Sequence, residues 1–172
     1  MLQIVRRLFR CFILVCMLCG CVSTQMATSS KDETKVLSSK FGVQLSQKKD
    51  NIALYSECAS WIGTPYKTGG TSRSGVDCSG FVQSVYKKVY NKKLSRESIE
   101  MLRVDCSKIM KSRLREGDLV FFHTGKKRKP NHVGIYLKDG KFVHASSSRG
   151  VMVSDLSETY FLDTWHTAGR VK

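Results

Sequence analysis

The chain has 172 residues, which is enough for one domain with a real hydrophobic core but too short for two. Hydrophobic residues make up 41% and aromatic residues 9%, ordinary values for a globular protein. Lys and Arg number 29 against 14 for Asp and Glu, so the formal net charge is +15. Such a charge favours an anionic partner: nucleic acid, an anionic membrane surface or an acidic polymer.

The N-terminus predicts an export signal. Three arginines precede an apolar run at residues 11–19, which is far shorter than the about 20 residues of a membrane-spanning helix. Leu18–Cys21 resembles the bacterial lipobox, in which the last cysteine becomes the lipidated first residue of the mature protein. We expect residues 1–20 to be a lipoprotein signal peptide and Cys21 to carry the acyl chains of a membrane anchor. A plain signal peptide or an uncleaved short anchor is the alternative. Export argues against nucleic acid as the partner.

Residues 21–50 predict a flexible tether between the lipid and a domain of residues 51–172. The segment is rich in Ser, Thr, Gln and Lys and holds few large apolar residues, so it cannot build a core of its own. Beyond it, Cys58 and Cys106 accompany Cys78, an odd number for a disulfide framework. We expect Cys58 and Cys106 to be separate buried thiols, with a disulfide between them as the alternative.

Helices occupy the first part of the predicted domain. Residues 52–62 have an apolar helical face and end before Gly63. A flexible loop over residues 68–75 leads to an amphipathic helix over Ser79–Tyr90, and a third helix is predicted over residues 95–104.

Strands occupy the second part. Short apolar or alternating segments, bounded by turn residues, predict strands over residues 118–122, 132–138, 141–145, 151–153 and 165–171. Helices that come first and antiparallel strands that come afterwards indicate an α+β domain.

Cys78 is the most informative residue. It follows a Gly-rich turn and precedes the amphipathic helix, which places its thiol in the first turn of that helix. Unpaired amides and the helix dipole stabilise a thiolate there. A free cysteine of pKa about 8.5 is about 3% ionised at pH 7, and lowering its pKa by about two units, worth about 2.7 kcal/mol, makes it mostly thiolate. The position predicts a nucleophile with a lowered pKa that needs a base.

Two histidines flank a predicted hairpin, and its loop length decides whether they meet. A two-residue Asp-Gly turn would put His132 and His144 on opposite faces. A three-residue loop over residues 138–140, with Gly140 in the left-handed position of a G1 bulge, sets His144 opposite Gly134 and diagonal to His132 on one face. We predict the three-residue loop. His132, at the open end of its strand, is the better base, and His144 would hold its tautomer.

Several short blocks occur in order along the chain: Pro65-Tyr66, Gly69-Gly70, Asp77–Val82, Gly117–Phe122, His132–Tyr136 and Phe142–Ala145. In content and order these blocks resemble those of the NlpC family, which are bacterial cell-wall cysteine peptidases with a papain-like fold. The resemblance implies an α+β fold whose nucleophile-bearing helix packs on an antiparallel sheet of about five to six strands. It also implies Cys78 as the nucleophile, His132 as the base and His144 as the third residue.

Other residues receive roles from the same resemblance. Tyr66 matches a tyrosine that faces the thiol and helps to hold the oxyanion, with packing on the core as its alternative. Asp77, Ser79 and Arg73 are candidate substrate contacts. Arg73 is alternatively a solvated surface charge, and Asp77 is alternatively a helix N-cap.

The implied function is hydrolysis of peptide bonds in peptidoglycan stem peptides or cross-links by a lipid-anchored murein endopeptidase. We expect a monomer without a cofactor, located in the cell envelope on a bacterial membrane and facing the periplasm or the outside. Three rivals stay open: a zinc site of Cys78, His123, His132 and His144, which lacks close ligand spacing; acyl transfer to an amine or lipid through the same thiol; and a non-catalytic wall-binding lipoprotein.

Overall fold

The computed structural model describes residues 30–125 and 129–172. The predicted signal peptide, the lipidation of Cys21 and the first part of the predicted tether lie outside these residues. The chain divides into a unit of residues 1–36 and a compact unit of residues 37–172. Residues 30–41 are helical (α1).

The compact unit begins earlier than the sequence predicted. Leu37, Phe41 and Val43 are buried in the main hydrophobic core, and the Phe41 ring packs edge-on against Tyr55 with centroids 5.4 Å apart. The prediction of a flexible tether is therefore wrong for residues 37–50. That prediction rested on the average composition of the segment, which is polar. Three well-spaced apolar side chains nevertheless bury enough surface to order the segment.

Within the described residues, four more helices follow α1, and two short helical turns accompany them. The helices are α2 (Ile52–Trp61), α3 (Cys78–Tyr90), α4 (Ser98–Glu100) and α5 (Thr159–Asp163). A π-helical turn over Met101–Asp105 continues α4, and a 3₁₀ turn covers Lys111–Arg113. α3 confirms the predicted amphipathic helix, whereas the predicted helix over residues 95–104 is shorter and partly π-helical.

The strands form one small hairpin and one six-stranded sheet. They are β1 (Thr71–Ser72), β2 (Gly75–Val76), β3 (Cys106–Ile109), β4 (Leu119–Phe122), β5 (His132–Tyr136), β6 (Lys141–Ser146), β7 (Gly150–Asp155) and β8 (Trp165–Val171). The large sheet has the order β3-β8-β4-β5-β6-β7 with every pair antiparallel. The α+β prediction is confirmed. The sequence did not predict the β1-β2 hairpin, β3 or α5, which are short or lie at an edge.

Apolar side chains cover the two faces of the large sheet separately. α2 and α3 lie over one face, where the main core includes Phe81, Val133 and Ile135. On the opposite face, a smaller core around Phe122, Phe142 and Phe161 packs beneath α5. Of the helices that the structure describes, none is both long and apolar enough to cross a membrane.

The β5-β6 hairpin has the predicted register. Ile135 pairs with Val143, and the Leu137 amide donates to the Lys141 carbonyl at 2.9 Å, as a three-residue loop requires. Gly140 is left-handed with φ 80°, as predicted, and Asp139 joins it with φ 53°. The even-length alternative is therefore excluded, and the histidines at the two ends of the hairpin share a face.

Candidate active site

The Cys78 thiol lies at the start of α3 and against the beginning of β5. Cys78 is the first residue of α3 and is buried, with 8% of its surface exposed. Its Sγ lies 4.0 Å from the carbonyl oxygen of Asn131, and the Val133 amide also hydrogen-bonds to the sulfur. The sulfur therefore contacts the backbone of Asn131 and Val133, the two chain neighbours of His132.

The predicted lowering of the Cys78 pKa is wrong. Burial raises the pKa of the thiol, and hydrogen bonds from the amides of Val133, Ser79 and Cys78 oppose that rise only in part. The amides at the helix start act as expected, but the thiolate loses more hydration than they return. The free site therefore holds a neutral thiol, and the amides reduce the cost of forming the thiolate when the proton leaves.

His132 and His144 meet as the register predicts. His132 Nε2 lies 2.8 Å from His144 Nδ1, and the two rings are nearly perpendicular with centroids 4.9 Å apart. Since His132 uses Nε2 for this contact, its Nδ1 remains free of the His144 ring and can accept a proton. The pair can fix the His132 tautomer that has a free Nδ1 lone pair, which is the form a general base needs.

A third polar residue, which sequence reasoning missed, extends the pair. His144 Nε2 lies 3.1 Å from the Ser154 Oγ on β7, and both residues are buried. If His144 Nδ1 accepts from His132, the neutral His144 ring carries its proton on Nε2 and donates it to Ser154. The alternating pattern of β7 could have pointed to Ser154, because its side chain lies on the same sheet face as His144 and diagonal to it.

The two histidine pKa values lead to a prediction about pH. Burial lowers the pKa of His132 to about 4, and burial, His132 and Arg149 lower the pKa of His144 to about 3. Only the neutral imidazole accepts a proton, so activity should rise as the pH rises through the His132 pKa. We expect kcat/KM to reach half its maximum near pH 4 in a pH series from 3 to 8. An acid limb at the ordinary histidine value of about 6.5 would contradict this.

Gly134 leaves room for the Phe142 ring and the His144 Cβ on the neighbouring strand, and its replacement is a second prediction. A Cβ at position 134 would lie 2.8 Å from Phe142 Cδ2, 2.9 Å from the Val143 oxygen and 3.2 Å from His144 Cβ. Gly134→Ala should lower stability by about 1–3 kcal/mol and reduce kcat by displacing His144. Thermal unfolding and kinetics measure both effects. Gly125→Ala is the control, since its Cβ would meet only Asn131 Nδ2 at 3.9 Å; equal effects of the two changes would refute this role for Gly134.

Asp77 caps α3 and holds an arginine beside the thiol. Its Oδ1 accepts from the Gly80 amide at 2.7 Å, and its Oδ2 accepts from the Gly69 amide at 2.9 Å. Arg96 donates to both oxygens, at 2.9 and 2.5 Å, and to the Ser79 hydroxyl at 2.6 Å. Burial opposes ionisation of Asp77, but the hydrogen bonds from Arg96 and the two amides outweigh it and lower its pKa. The N-cap prediction is confirmed.

These side chains line a cavity of about 510 Å³ beside the thiol. Tyr66, Asp77, Cys78, Ser79 and Arg96 all border it. Tyr66 is therefore placed beside the nucleophile, and burial, followed by the proximity of Cys78, raises the pKa of its hydroxyl. The phenol stays neutral and keeps a proton to donate.

The structure places Arg73, a predicted substrate contact, against α2. Its guanidinium stacks on the Trp61 ring at 3.6 Å and donates to Glu57 and Ser60, which also lie on α2. Of the described residues, Arg96 lines the cavity beside the thiol and Arg73 does not. Sequence reasoning missed Arg96 because it comes 18 positions after Cys78, in a segment without a motif.

The other cysteines and histidines form no further site in the described parts of the chain. Cys58 and Cys106 are buried free thiols. His123 and His166 form a separate ring pair, with centroids 6.3 Å apart. Within residues 30–125 and 129–172, no group of three or more His, Cys, Asp or Glu side chains is arranged to hold a metal ion.

A buried thiol at the start of a helix, packed on an antiparallel sheet that carries a histidine pair, defines a papain-like domain. Comparison with known proteins agrees with this class. The NlpC/P60 family model matches residues 63–170, and the chain belongs to the NlpC/P60 family.

Two curated relatives and one solved structure illustrate the similarity. The chain is 42% identical over 119 residues to a probable endopeptidase NlpC homolog of Haemophilus influenzae, covering 69% of this chain and 62% of the relative. It is 34% identical over 165 residues to the murein DD-endopeptidase MepS/murein LD-carboxypeptidase of Escherichia coli K12, covering 90% and 86%. An NlpC/P60 family protein from Bacillus cereus superimposes with a TM-score of 0.64 at 31% identity, covering 71% and 41%.

Proposed function

We propose that this chain is a cysteine peptidase that hydrolyses peptide bonds in peptidoglycan, and that it uses Cys78, His132 and His144 to do so. The observation that carries the proposal is the 2.8 Å contact between the two imidazoles, at the point where the thiol sulfur meets the backbone beside His132. Family membership and relatives named as murein endopeptidases support peptidoglycan as the substrate.

The first half of the reaction forms a thioester. As Cys78 Sγ attacks the scissile carbonyl carbon, the thiol proton passes to His132 Nδ1. The neutral thiol and the neutral imidazole therefore become a thiolate nucleophile and an imidazolium only in the transition state. The His144 lone pair on Nδ1 faces the His132 Nε2–H and stabilises the charged ring. His132 then gives its proton to the leaving amine, and the carbon–nitrogen bond breaks.

The second half restores the enzyme. His132 accepts a proton from water, the hydroxide attacks the thioester carbon, and the Cys78 sulfur leaves with the proton that His132 returns. In both halves the carbonyl oxygen becomes negative. The amide of Cys78, which already points toward the sulfur, and the neutral Tyr66 hydroxyl are the donors proposed for that oxygen, and one such donor is typically worth about 3–4 kcal/mol.

Digestion of purified cross-linked muropeptides tests the proposal. Mass spectrometry should show products that have gained one water per broken amide and end in a new carboxylate and a new amine. Pretreatment with iodoacetamide should stop the reaction. Products joined to an added amine would support acyl transfer instead, and binding to peptidoglycan without any cleavage would support a non-catalytic role.

We propose further that Cys21 is lipidated and anchors the domain to a membrane in the cell envelope. The lipobox-like Leu18–Cys21 and the basic, apolar segment before it support this. Cells fed a labelled fatty acid should incorporate the label into the full chain and should fail to do so in Cys21→Ser. Label in the variant, or none in either protein, would overturn the anchor.

A further inference from the structure

A second cavity, of about 490 Å³, opens on the imidazole side of the active site. His132 and His144 border it, and so do Arg149 from the β6-β7 turn and Glu158 at the start of α5. Tyr66 borders both this cavity and the one beside the thiol. The two cavities therefore adjoin, with the nucleophile bordering the first and the histidine pair bordering the second. We call the second one the imidazole cavity.

The proposed chemistry assigns the imidazole cavity to one half of the substrate, and this assignment rests on the proposed function. The acyl half must reach Cys78, because its carbon bonds to sulfur. The amine half must reach His132, because that ring protonates the leaving nitrogen. Because Cys78 borders the thiol cavity and His132 borders the imidazole cavity, the acyl half is assigned to the first and the leaving half to the second.

Two opposite charges in the imidazole cavity restrict the chemistry of the leaving half. Arg149 and Glu158 are both exposed, and neither forms an ion pair within the part of the chain that the structure describes. Glu158 Oε1 accepts a hydrogen bond from the Asp155 amide at 2.7 Å, which holds the carboxylate at the end of β7. A cation and an anion that border one cavity without pairing are complementary to a ligand that also carries both charges.

We propose that Arg149 and Glu158 form a subsite for the leaving half, and that the subsite selects an amine-bearing residue whose α-carboxylate is free. Arg149 pairs with that carboxylate by a charge-assisted hydrogen bond. Glu158 faces the nitrogen, which is neutral in the amide and becomes an ammonium after cleavage. The subsite thus recognises a zwitterionic α-amino-acid end, and it binds the carboxylate before the reaction and both charges afterwards.

Two kinds of substrate present such an end. In a cross-link, the amine-bearing residue keeps a free α-carboxylate when the carbon that carries the bonded nitrogen takes part in no other amide bond. A C-terminal residue leaves its own α-carboxylate free in the same position. The chemistry recognised is the same in both, so a cross-linked dimer and a linear peptide serve as separate arms of the test.

The test compares substrates that differ only in this carboxylate. The full chain and its Arg149→Gln variant are assayed on a cross-linked muropeptide dimer with a free α-carboxylate on the amine-bearing residue, and on the same dimer with an α-carboxamide. A linear peptide with a free C-terminal carboxylate is the third substrate. Arg115→Gln is the matched control, because Arg115 is also exposed and does not border the imidazole cavity.

We expect the wild-type chain to cleave the carboxylate dimer about 10- to 100-fold faster in kcat/KM than the carboxamide, the size of one lost charged hydrogen bond. Arg149→Gln should lose that preference by slowing only on the carboxylate substrates, and Arg115→Gln should keep it. Faster cleavage of the dimer identifies a cross-link as the source of the free α-carboxylate, and faster cleavage of the linear peptide identifies a C-terminal residue.

Cleavage of both dimers at equal rates by the wild type, or an equal loss of activity on both dimers in Arg149→Gln, overturns the subsite but leaves the proposed function intact. No cleavage of any peptide by the wild type would refute the proposed function itself.

Discussion

Replacing Cys78 with serine is expected to reduce muropeptide hydrolysis by about a thousandfold or more in kcat. A serine hydroxyl has nearly the same size, so the start of α3 and its Asp77 cap should stay in place. The hydroxyl is a far weaker acid than the thiol, and a site whose burial already raises the pKa of the thiol opposes an alkoxide even more strongly. His132, whose pKa is about 4, is too weak a base to compensate.

The other two thiols provide matched controls for that result. Cys58 and Cys106 are buried and free, so Cys58→Ser and Cys106→Ser test the loss of a buried sulfur without touching the site. Circular dichroism should show all three variants folded, and product analysis should show cleavage by the two controls alone. Turnover by Cys78→Ser at a rate near that of the controls would exclude Cys78 as the nucleophile.

Replacing His132 with alanine is expected to lower kcat by about 10²- to 10⁴-fold, the range found for a general acid–base residue. Without the ring, the neutral Cys78 thiol has no acceptor for its proton, and the leaving amine has no donor. Because burial raises the thiol pKa, raising the pH should restore part of the lost activity in the variant. That recovery separates a missing base from a general loss of structure.

Variants at two other histidines sharpen this second result. His166→Ala removes an imidazole that lies on β8, in a pair with His123 apart from the site, and should leave kcat nearly unchanged. At position 144, asparagine can still accept from His132 Nε2 through its amide oxygen, whereas leucine cannot. We therefore expect His144→Asn to keep more activity than His144→Leu. Equal activity of these two variants would mean that the 2.8 Å contact does not serve the reaction.

Local patterns in the sequence were enough to predict the elements that carry the nucleophile and the histidines. A Gly-rich turn followed by an amphipathic stretch predicted that Cys78 lies in the first turn of a helix, and α3 begins at that residue. The alternation around residues 138–140 predicted the hairpin register, because a shift of one residue would have turned either the histidines or the core side chains to the wrong face. Both predictions concern neighbours along the chain or across one turn.

Predictions failed where the outcome depends on distant contacts. Residues 37–50 looked like a tether because their average composition is polar, but the core takes up Leu37, Phe41 and Val43. Arg73 looked like a site residue because it precedes Cys78, but a ring and a carboxylate on α2 hold it elsewhere. Arg96 reaches the thiol cavity from a separate segment.

The sequence by itself determined the class of chemistry: a cysteine at a helix start, two histidines on one face of a hairpin, and the blocks of a family of cell-wall peptidases. These follow from short-range geometry, in which side-chain spacing along a helix or strand sets direction. Only the tertiary structure decided the protonation of the thiol, the link from His144 to Ser154, and the placement of Arg96, Arg149 and Glu158 around the two cavities. The reason is physical, since burial and long-range pairing depend on which segments the folded core brings together.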